Sequence, residues 1–256
     1  MLSYLNAGEE QFLQAHLRYT NHYQDMNATP VRSLFTEETM TNFLREASQK
    51  LQSPSLLVTA SQFCKRYAFL ITAPALYALS AFHKRLDVDV DNCRIVDHSN
   101  NGLWMPQLTL NNRHVTPQPA SSDREHWRRT AFTKLFKHNL SRIIRLLSDI
   151  SRVPEPILWE NSATYIFWLY ETKLPENGVR SLEMREDFQS LLDADGDVFG
   201  CDFNPIRPFY TPKRDGVRMR KTCCQYYQIP GADYCSTCRN GCIDVRHHTR
   251  AKVNVT

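Results

Sequence analysis

The residues best equipped for chemistry are four thiols near the C-terminus. Cys223 and Cys224 are adjacent, ten residues follow, and then comes Cys235-Ser236-Thr237-Cys238. A C-x-x-C pair can turn both sulfurs onto one metal centre. Pro230-Gly231, midway along the spacer, is a turn pair that folds the chain back so that the two thiol pairs meet. The pattern therefore predicts a four-thiolate metal or cluster site. Zinc is the generic occupant of four cysteines. The vicinal pair argues against it, because neighbouring side chains of an extended backbone point to opposite sides and cannot easily reach one tetrahedral ion. A two-iron cluster offers two acceptor atoms and suits such a pair better. A vicinal disulfide and a C-x-x-C redox dithiol are further readings.

Arg220-Lys221-Thr222-Cys223-Cys224-Gln225 and the C-C-x10-C-x2-C spacing resemble the C-terminal signature of the FhuF-type siderophore-iron reductases. Leu158-Trp159-Glu160-Asn161-Ser162, running into Tyr165-Ile166-Phe167-Trp168-Leu169-Tyr170, is similar to an aromatic helix upstream in that family. So, more faintly, is the apolar segment Leu56 to Leu79 that ends near Leu86-Asp87-Val88. The resemblance implies a cytoplasmic one-electron reductase of ferric siderophores of hydroxamate or hydroxamate–citrate type. It implies a [2Fe-2S] cluster on Cys223, Cys224, Cys235 and Cys238, with no catalytic residue beyond the cluster. The siderophore pocket would lie between the helical body and the cluster segment, with Trp159, Asn161 and Tyr165 as lining candidates. The alternative is a zinc-stabilised four-cysteine binding or regulatory module without redox activity. Cys242 is not expected to ligate, since four thiolates already complete two irons.

Charge follows the cysteines. After residue 200 there are ten Lys/Arg against four Asp/Glu, whereas the first 200 residues hold 21 against 23. Arg218, Arg220, Lys221 and Arg239 adjoin the ligands in sequence. Positive charge there favours a reduced, more anionic cluster and attracts an acidic donor or an anionic chelate, so Arg218 and Arg220 are candidate donor or substrate contacts. No nucleic-acid motif accompanies the basic surplus. There is no G-x-G-x-x-G, no P-loop, no G-x-S-x-G and no H-E-x-x-H. Electrons must then come from another protein, of ferredoxin or flavodoxin type, or from a diffusible reductant. His247-His248 read as part of a basic tail.

The elements that position the thiols read as mainly α with a small antiparallel β element. Residues 1–200 form a helical body and 201–256 a C-terminal cluster-binding segment. Helices are predicted over 9–25 and 36–52, the second capped by Thr36. Thr29-Pro30 and Ser53-Pro54 read as breaks. Ser55 to His83 is a hydrophobic helical segment kinked or divided at Pro74. Its apolar run, Tyr67 to Phe82, is too short for a membrane span. Neither a membrane span nor a signal peptide is expected, and a reducing compartment is; peripheral membrane contact is left open. A β meander is expected over 92–118, and Pro117 to Ser121 reads as a linker. Ser122-Asp123-Arg124-Glu125 has capping-box form and opens one long helix to Ile150. Helices 160–173 and 180–193 follow, the aromatics Trp159, Tyr165 and Trp168 being read chiefly as core packing. Asp193-Ala194-Asp195-Gly196-Asp197 lacks the glycine and closing glutamate of a calcium loop and reads as a solvated turn. Pro205, Pro208 and Pro212 mark an extended connector. Arg214-Asp215-Gly216 reads as a hairpin turn, with Val217 to Arg220 a strand leading to Cys223.

Overall fold

A helix apolar on every side has to be surrounded, and Leu56–Ala81 (α3) is: 21 of its 26 residues are buried. The computed structural model describes residues 3–21, 28–120 and 123–238. Ser55 caps α3 through Val58 N–H, and the helix continues undivided through Pro74. Of the predicted kink or division at Pro74, the division is not seen; Pro74 lies buried within the one helix. The other elements pack round α3: Ala7–His16 (α1), Glu37–Leu51 (α2), Arg124–Leu135 (α4), Ser141–Ser151 (α5) and Glu155–Trp168 (α6). The most extensive packing is α3 on α6, the two helices that turn out to hold the cysteine segment. Leu174–Glu176 (α7), Leu182–Asp193 (α8) and Gly196–Phe199 (α9) complete the helices.

The strands form three small antiparallel ladders. Ala28–Pro30 (β1), Cys93–Val96 (β3) and Gln107–Leu110 (β6) make a sheet in the order β1-β3-β6. Lys84–Leu86 (β2) pairs with Val115–Pro117 (β7), and Ser99–Asn100 (β4) with Leu103–Trp104 (β5). The fold is thus mainly helical with a small antiparallel β element, as expected. The meander is not self-contained, however. Thr29-Pro30 is an edge strand rather than a break, and Pro117 ends a strand rather than opening a linker. The β4–β5 hairpin turns at Asn101 and Gly102, with φ of +49° and +78°, the conformation a two-residue hairpin needs.

Helix boundaries differ where tertiary contacts intervene. The first helix stops at His16, not residue 25, because Arg18 takes φ +54° and the chain joins the sheet: Thr20 N–H bonds Leu108 O, and Leu108 N–H bonds Arg18 O. Thr36 caps α2 as predicted. Asp123 occupies the N-cap of α4 without a side-chain bond, and Ser122 lies outside the described residues. The long helix to residue 151 is interrupted by a π turn, Phe136–Leu140, which carries Asn139 into the core. There Asn139 donates to Val88 O at 2.6 Å and accepts from the Tyr67 hydroxyl. The aromatic helix starts earlier than expected, at Glu155, and passes into a second π turn, Leu169–Lys173. The Asp193–Asp197 turn is ion-paired rather than merely solvated, with Arg207, Arg129 and Lys137 on its three carboxylates.

Candidate metal centre

Two helices meet the cysteine segment with polar residues that would otherwise be misplaced in apolar surroundings. α3 contributes Ser61 and Gln62, and α6 contributes Glu160 and Asn161; all four are buried. Glu160 accepts the backbone N–H of Lys221 at 2.6 Å and of Thr222 at 2.7 Å, and the Thr222 hydroxyl. Its carboxylate also lies 3.5 Å from Arg220 Nε. Arg220 Nη2 donates to Asn161 Oδ1 at 2.6 Å, and Asn161 Nδ2 donates to both the hydroxyl and the carbonyl of Ser61 at 3.1 Å. Ser61 Oγ and Gln62 Nε2 then both donate to Cys224 O, at 2.8 and 2.7 Å. A continuous buried network therefore fixes the backbone of residues 220–224. Arg220 Nε is the one member left without a hydrogen bond, held by the Glu160 charge alone, and the bonded remainder rigidifies what it binds.

The approach to this clamp is a turn followed by irregular chain. Arg214 and Val217 exchange both backbone bonds across Asp215 and Gly216, which take φ of +51° and +77°. The predicted hairpin turn is there, but the strand Val217 to Arg220 is not. Side chains fix this stretch instead of a ladder. Arg218 forms a bidentate pair with Glu171, at 2.8 and 2.7 Å, between the rings of Phe167 and Tyr210. The π turn Leu169–Lys173 carries Glu171, which Lys213 also reaches at 2.9 Å. Arg220 N–H bonds Thr237 O at 3.0 Å, tying the C-x-x-C end to the clamp.

Past Cys224 the chain reverses through Gln225, at φ +62°. The spacer turns at Pro230-Gly231 as predicted: Ala232 N–H bonds Ile229 O at 3.0 Å, with Gly231 at φ +76°. Glycine suits that position because a β-carbon would be strained at positive φ. Cys238 N–H bonds Cys235 O at 2.8 Å and closes the C-x-x-C turn.

The four sulfurs come together as two pairs, Cys224 with Cys235 and Cys223 with Cys238. Each pair joins a buried thiol, Cys224 or Cys238, to a half-buried one. The hydrogen bond from Cys235, helped by the charges of Lys65 and Arg220, outweighs burial and holds Cys224 below the ordinary thiol range. Cys235, as the donor of that bond, is held above it. A thiol biased toward thiolate is the form that ligates metal. Among the described residues, no three His, Cys, Asp or Glu side chains gather round a point for one ion. Two neighbouring thiol pairs fit a two-metal centre, and no carboxylate competes, since Glu160 is engaged with backbone. Cys64 and Cys93 are fully buried elsewhere, burial pushing the first up to about 12. Cys242, Arg239 and His247-His248 lie outside the described residues.

A cavity of about 320 Å³ opens between α6 with its π turn and the segment 209–220. Its walls include Phe167, Trp168, Phe209, Val217 and Met219, and Ser236 and Thr237, between the last two cysteines, close one end. The three predicted lining residues are not in it. Trp159 is 3% exposed, packs edge-on to Phe199 and borders a different cavity with Cys201 and Phe203. Asn161 is wholly buried and positions Arg220. Tyr165 packs on Phe69 beside Arg18 and Arg66. Arg218 and Arg220 are likewise not free surface cations; each is ion-paired and largely buried. Sequence reasoning missed Ser61, Gln62 and Glu171, and gave Glu160 no role. The readable signal was a polar group, Glu160-Asn161-Ser162 or Ser61-Gln62, interrupting an apolar helix.

Comparison with known proteins agrees with this geometry. Residues 61–204, which contain the clamp residues of α3 and α6, match the family described as ferric iron reductase FhuF-like transporter. Residues 220–238 match the FhuF 2Fe-2S C-terminal domain, so the cofactor is a [2Fe-2S] cluster. A ferric siderophore reductase of Escherichia coli (strain K12) is 26% identical over 184 residues, covering 70% of this chain. The aligned stretch spans 64% of that relative's length. With its body and its cysteine segment both matched, the chain belongs to the FhuF family.

Proposed function

We propose that this protein is a ferric-siderophore reductase in which Cys223, Cys224, Cys235 and Cys238 hold the [2Fe-2S] cluster. The observation that carries the reading is the gathering of four thiols in two pairs, each with one half-buried member, beside a cavity walled by the same segment. A bound cluster supplies a one-electron relay between a donor and the substrate iron. The substrate is an Fe(III) chelate of hydroxamate or hydroxamate–citrate type. Hard oxygen ligands hold Fe(III) far better than Fe(II), so one electron releases the metal and leaves the chelator intact. No acid, base or nucleophile is required.

The protein's own residues have three tasks in this reading. Glu160, Asn161, Ser61 and Gln62 hold the 220–224 backbone so that both thiol pairs are preset. Lys65 and Arg220 place positive charge beside Cys224. The cavity at Ser236 and Thr237, apolar-walled with Glu171, Lys213 and Arg218 at its border, receives part of the chelate. Because Arg218 and Arg220 are ion-paired, they act by positioning the segment, Arg220 adding its charge beside Cys224, and not as free contacts for substrate or donor. The electron arrives from a ferredoxin- or flavodoxin-type protein in the cytoplasm; no described helix is long and apolar enough to cross a membrane.

The test is the metal content of anaerobically purified protein. Iron and acid-labile sulfide should each approach two per chain, and replacing any of the four cysteines by serine should abolish most of both. Stoichiometric zinc without sulfide would replace this reading by that of a structural four-cysteine zinc module.

A further inference from the structure

Beside Cys224 lies a second face of the protein, sharing no lining residue with the cavity at Ser236 and Thr237. It is built where the spacer 226–232 packs against the β4–β5 hairpin and the end of α2. Its cations are of two kinds: Lys50, in the lining, is paired with Asp97 at 2.7 Å, whereas those nearer Cys224 have no acidic partner. Among the described residues, no carboxylate oxygen lies within 4.0 Å of a side-chain nitrogen of Lys65, Arg66, Lys221 or Arg18. Lys65 stands over the Tyr226 ring at 5.6 Å, two residues from Cys224. Arg66 uses two N–H groups on the carbonyls of Trp104 and Gln62, at 3.0 and 3.1 Å. Arg18 and Arg66 are near enough to repel one another, both facing Tyr165.

The hairpin and the spacer add exposed apolar groups. Leu103, at the tip of the hairpin, is 61% exposed, and Tyr227 and Tyr234 stack on each other with centroids 4.7 Å apart. Cations spread over two elements, with an exposed leucine and tyrosines on the neighbouring hairpin and spacer, match a protein interface better than a small-anion site, which needs a concave cradle. The sequence supplies no nucleotide-binding motif, and an exposed face of this kind favours delivery of electrons by a docking protein over a diffusible reductant.

We propose that this face, marked by Lys65, Arg66, Lys221, Leu103 and the Tyr227–Tyr234 pair, docks a small acidic one-electron carrier protein next to Cys224. The ferric chelate is left to the separate cavity. The inference rests on the reductase reading and adds to it where the electron enters.

The test measures binding of oxidised flavodoxin and oxidised ferredoxin to the oxidised, cluster-loaded protein, a state in which no electron passes. Lys65→Glu/Lys221→Glu should weaken binding about ten- to hundredfold at low salt. The gap should close toward about 0.5 M salt, where screening is strong. Lys65→Gln/Lys221→Gln, gentler to the fold, should fall between that variant and the native protein. Arg180→Glu/Arg185→Glu changes net charge equally at exposed positions of another region and should leave binding within about twofold, because steering is local to the docking face. The proposal is overturned if both reversed variants weaken binding equally, if neither carrier binds native protein, or if a ferric hydroxamate–citrate chelate displaces the carrier. Should pre-reduced protein still release Fe(II) from chelates while Lys65→Glu/Lys221→Glu binds carriers normally, only the docking face is wrong. Failure of pre-reduced protein to release iron removes the reductase reading instead.

Discussion

Glu160→Ala is the substitution that bears hardest on the account, because one carboxylate holds three consecutive residues ahead of the first thiol. In the native protein it accepts from Lys221 N–H, Thr222 N–H and the Thr222 hydroxyl, and it is the counter-ion of buried Arg220. Each bond to a charged acceptor is worth about 1.5–3 kcal/mol. Stranding a buried guanidinium costs about 3–5 kcal/mol. These terms overlap, so the segment's attachment should weaken by about 4 kcal/mol rather than by their sum. That is roughly a thousandfold in the local opening equilibrium. It is also most of the stability a surface segment has, although the helical core should survive. Two readouts follow. Hydrogen exchange, read by mass spectrometry on a peptide spanning 218–224, should accelerate by two to three orders of magnitude, in line with that opening estimate. Cluster loss to an iron chelator should accelerate in parallel. Glu160→Gln keeps an acceptor but not the charge and should lie between. The reasoning is refuted if Glu160→Ala leaves both exchange and cluster lifetime within about threefold of native.

Further outcomes are expected. Burial pushes the Glu171 carboxyl up, but hydrogen bonds and charges from Arg218 and Lys213 outweigh it and hold the group below the usual carboxylate range. A depressed folded value stabilises above the unfolded pKa, about 4.3, and the gain is lost as pH falls through the folded value. Urea midpoints of native protein should therefore exceed those of Glu171→Gln at pH 7, the gap closing on acidification; a gap unchanged at pH 3 would contradict this. In cluster-free native protein, maleimide should label the Cys224–Cys235 pair, in which one thiol is biased toward thiolate and the other is half-buried. Cys64 and Cys93, buried and raised in pKa, should label only on unfolding, and Ser at either site should leave cluster content intact. Val217→Trp, placed in the cavity wall, should slow oxidation by bulky ferric hydroxamates at least tenfold while leaving ferricyanide unaffected. Equal slowing of both would detach the cavity from the reaction.

What could be read from sequence was what depends on short range. Thr36 capping α2, the Pro230-Gly231 reversal and the four cysteines are each specified within a few residues of themselves. The boundaries that moved were set from far away. His16 ends α1 because Thr20 pairs with Leu108, and Thr29-Pro30 is a strand only because β3 lies beside it. The two π turns have no local sequence mark; one inserts Asn139 into the core and the other aims Glu171 at Arg218. The candidate site divides in the same way. The thiols were legible from spacing, whereas the clamp joins residues about 60 and 160 positions away from them. Basic residues near the cysteines suggested open positive surface, yet Glu171 and Glu160 meet Arg218 and Arg220, and among the described residues Lys65 and Arg66 on α3 are cations near Cys224 with no ion pair.

The central claim is that an electron held at the four cysteines reaches chelated iron. It is tested by stopped-flow oxidation of dithionite-reduced protein with ferric hydroxamates and hydroxamate–citrate chelates, a ferrous trap being present. The account predicts reoxidation of the cluster with one Fe(II) trapped per electron lost, and no such reaction from Cys223→Ser protein lacking the cluster. Reoxidation no faster than the cluster-free variant reacts, with every chelate tried, would contradict it.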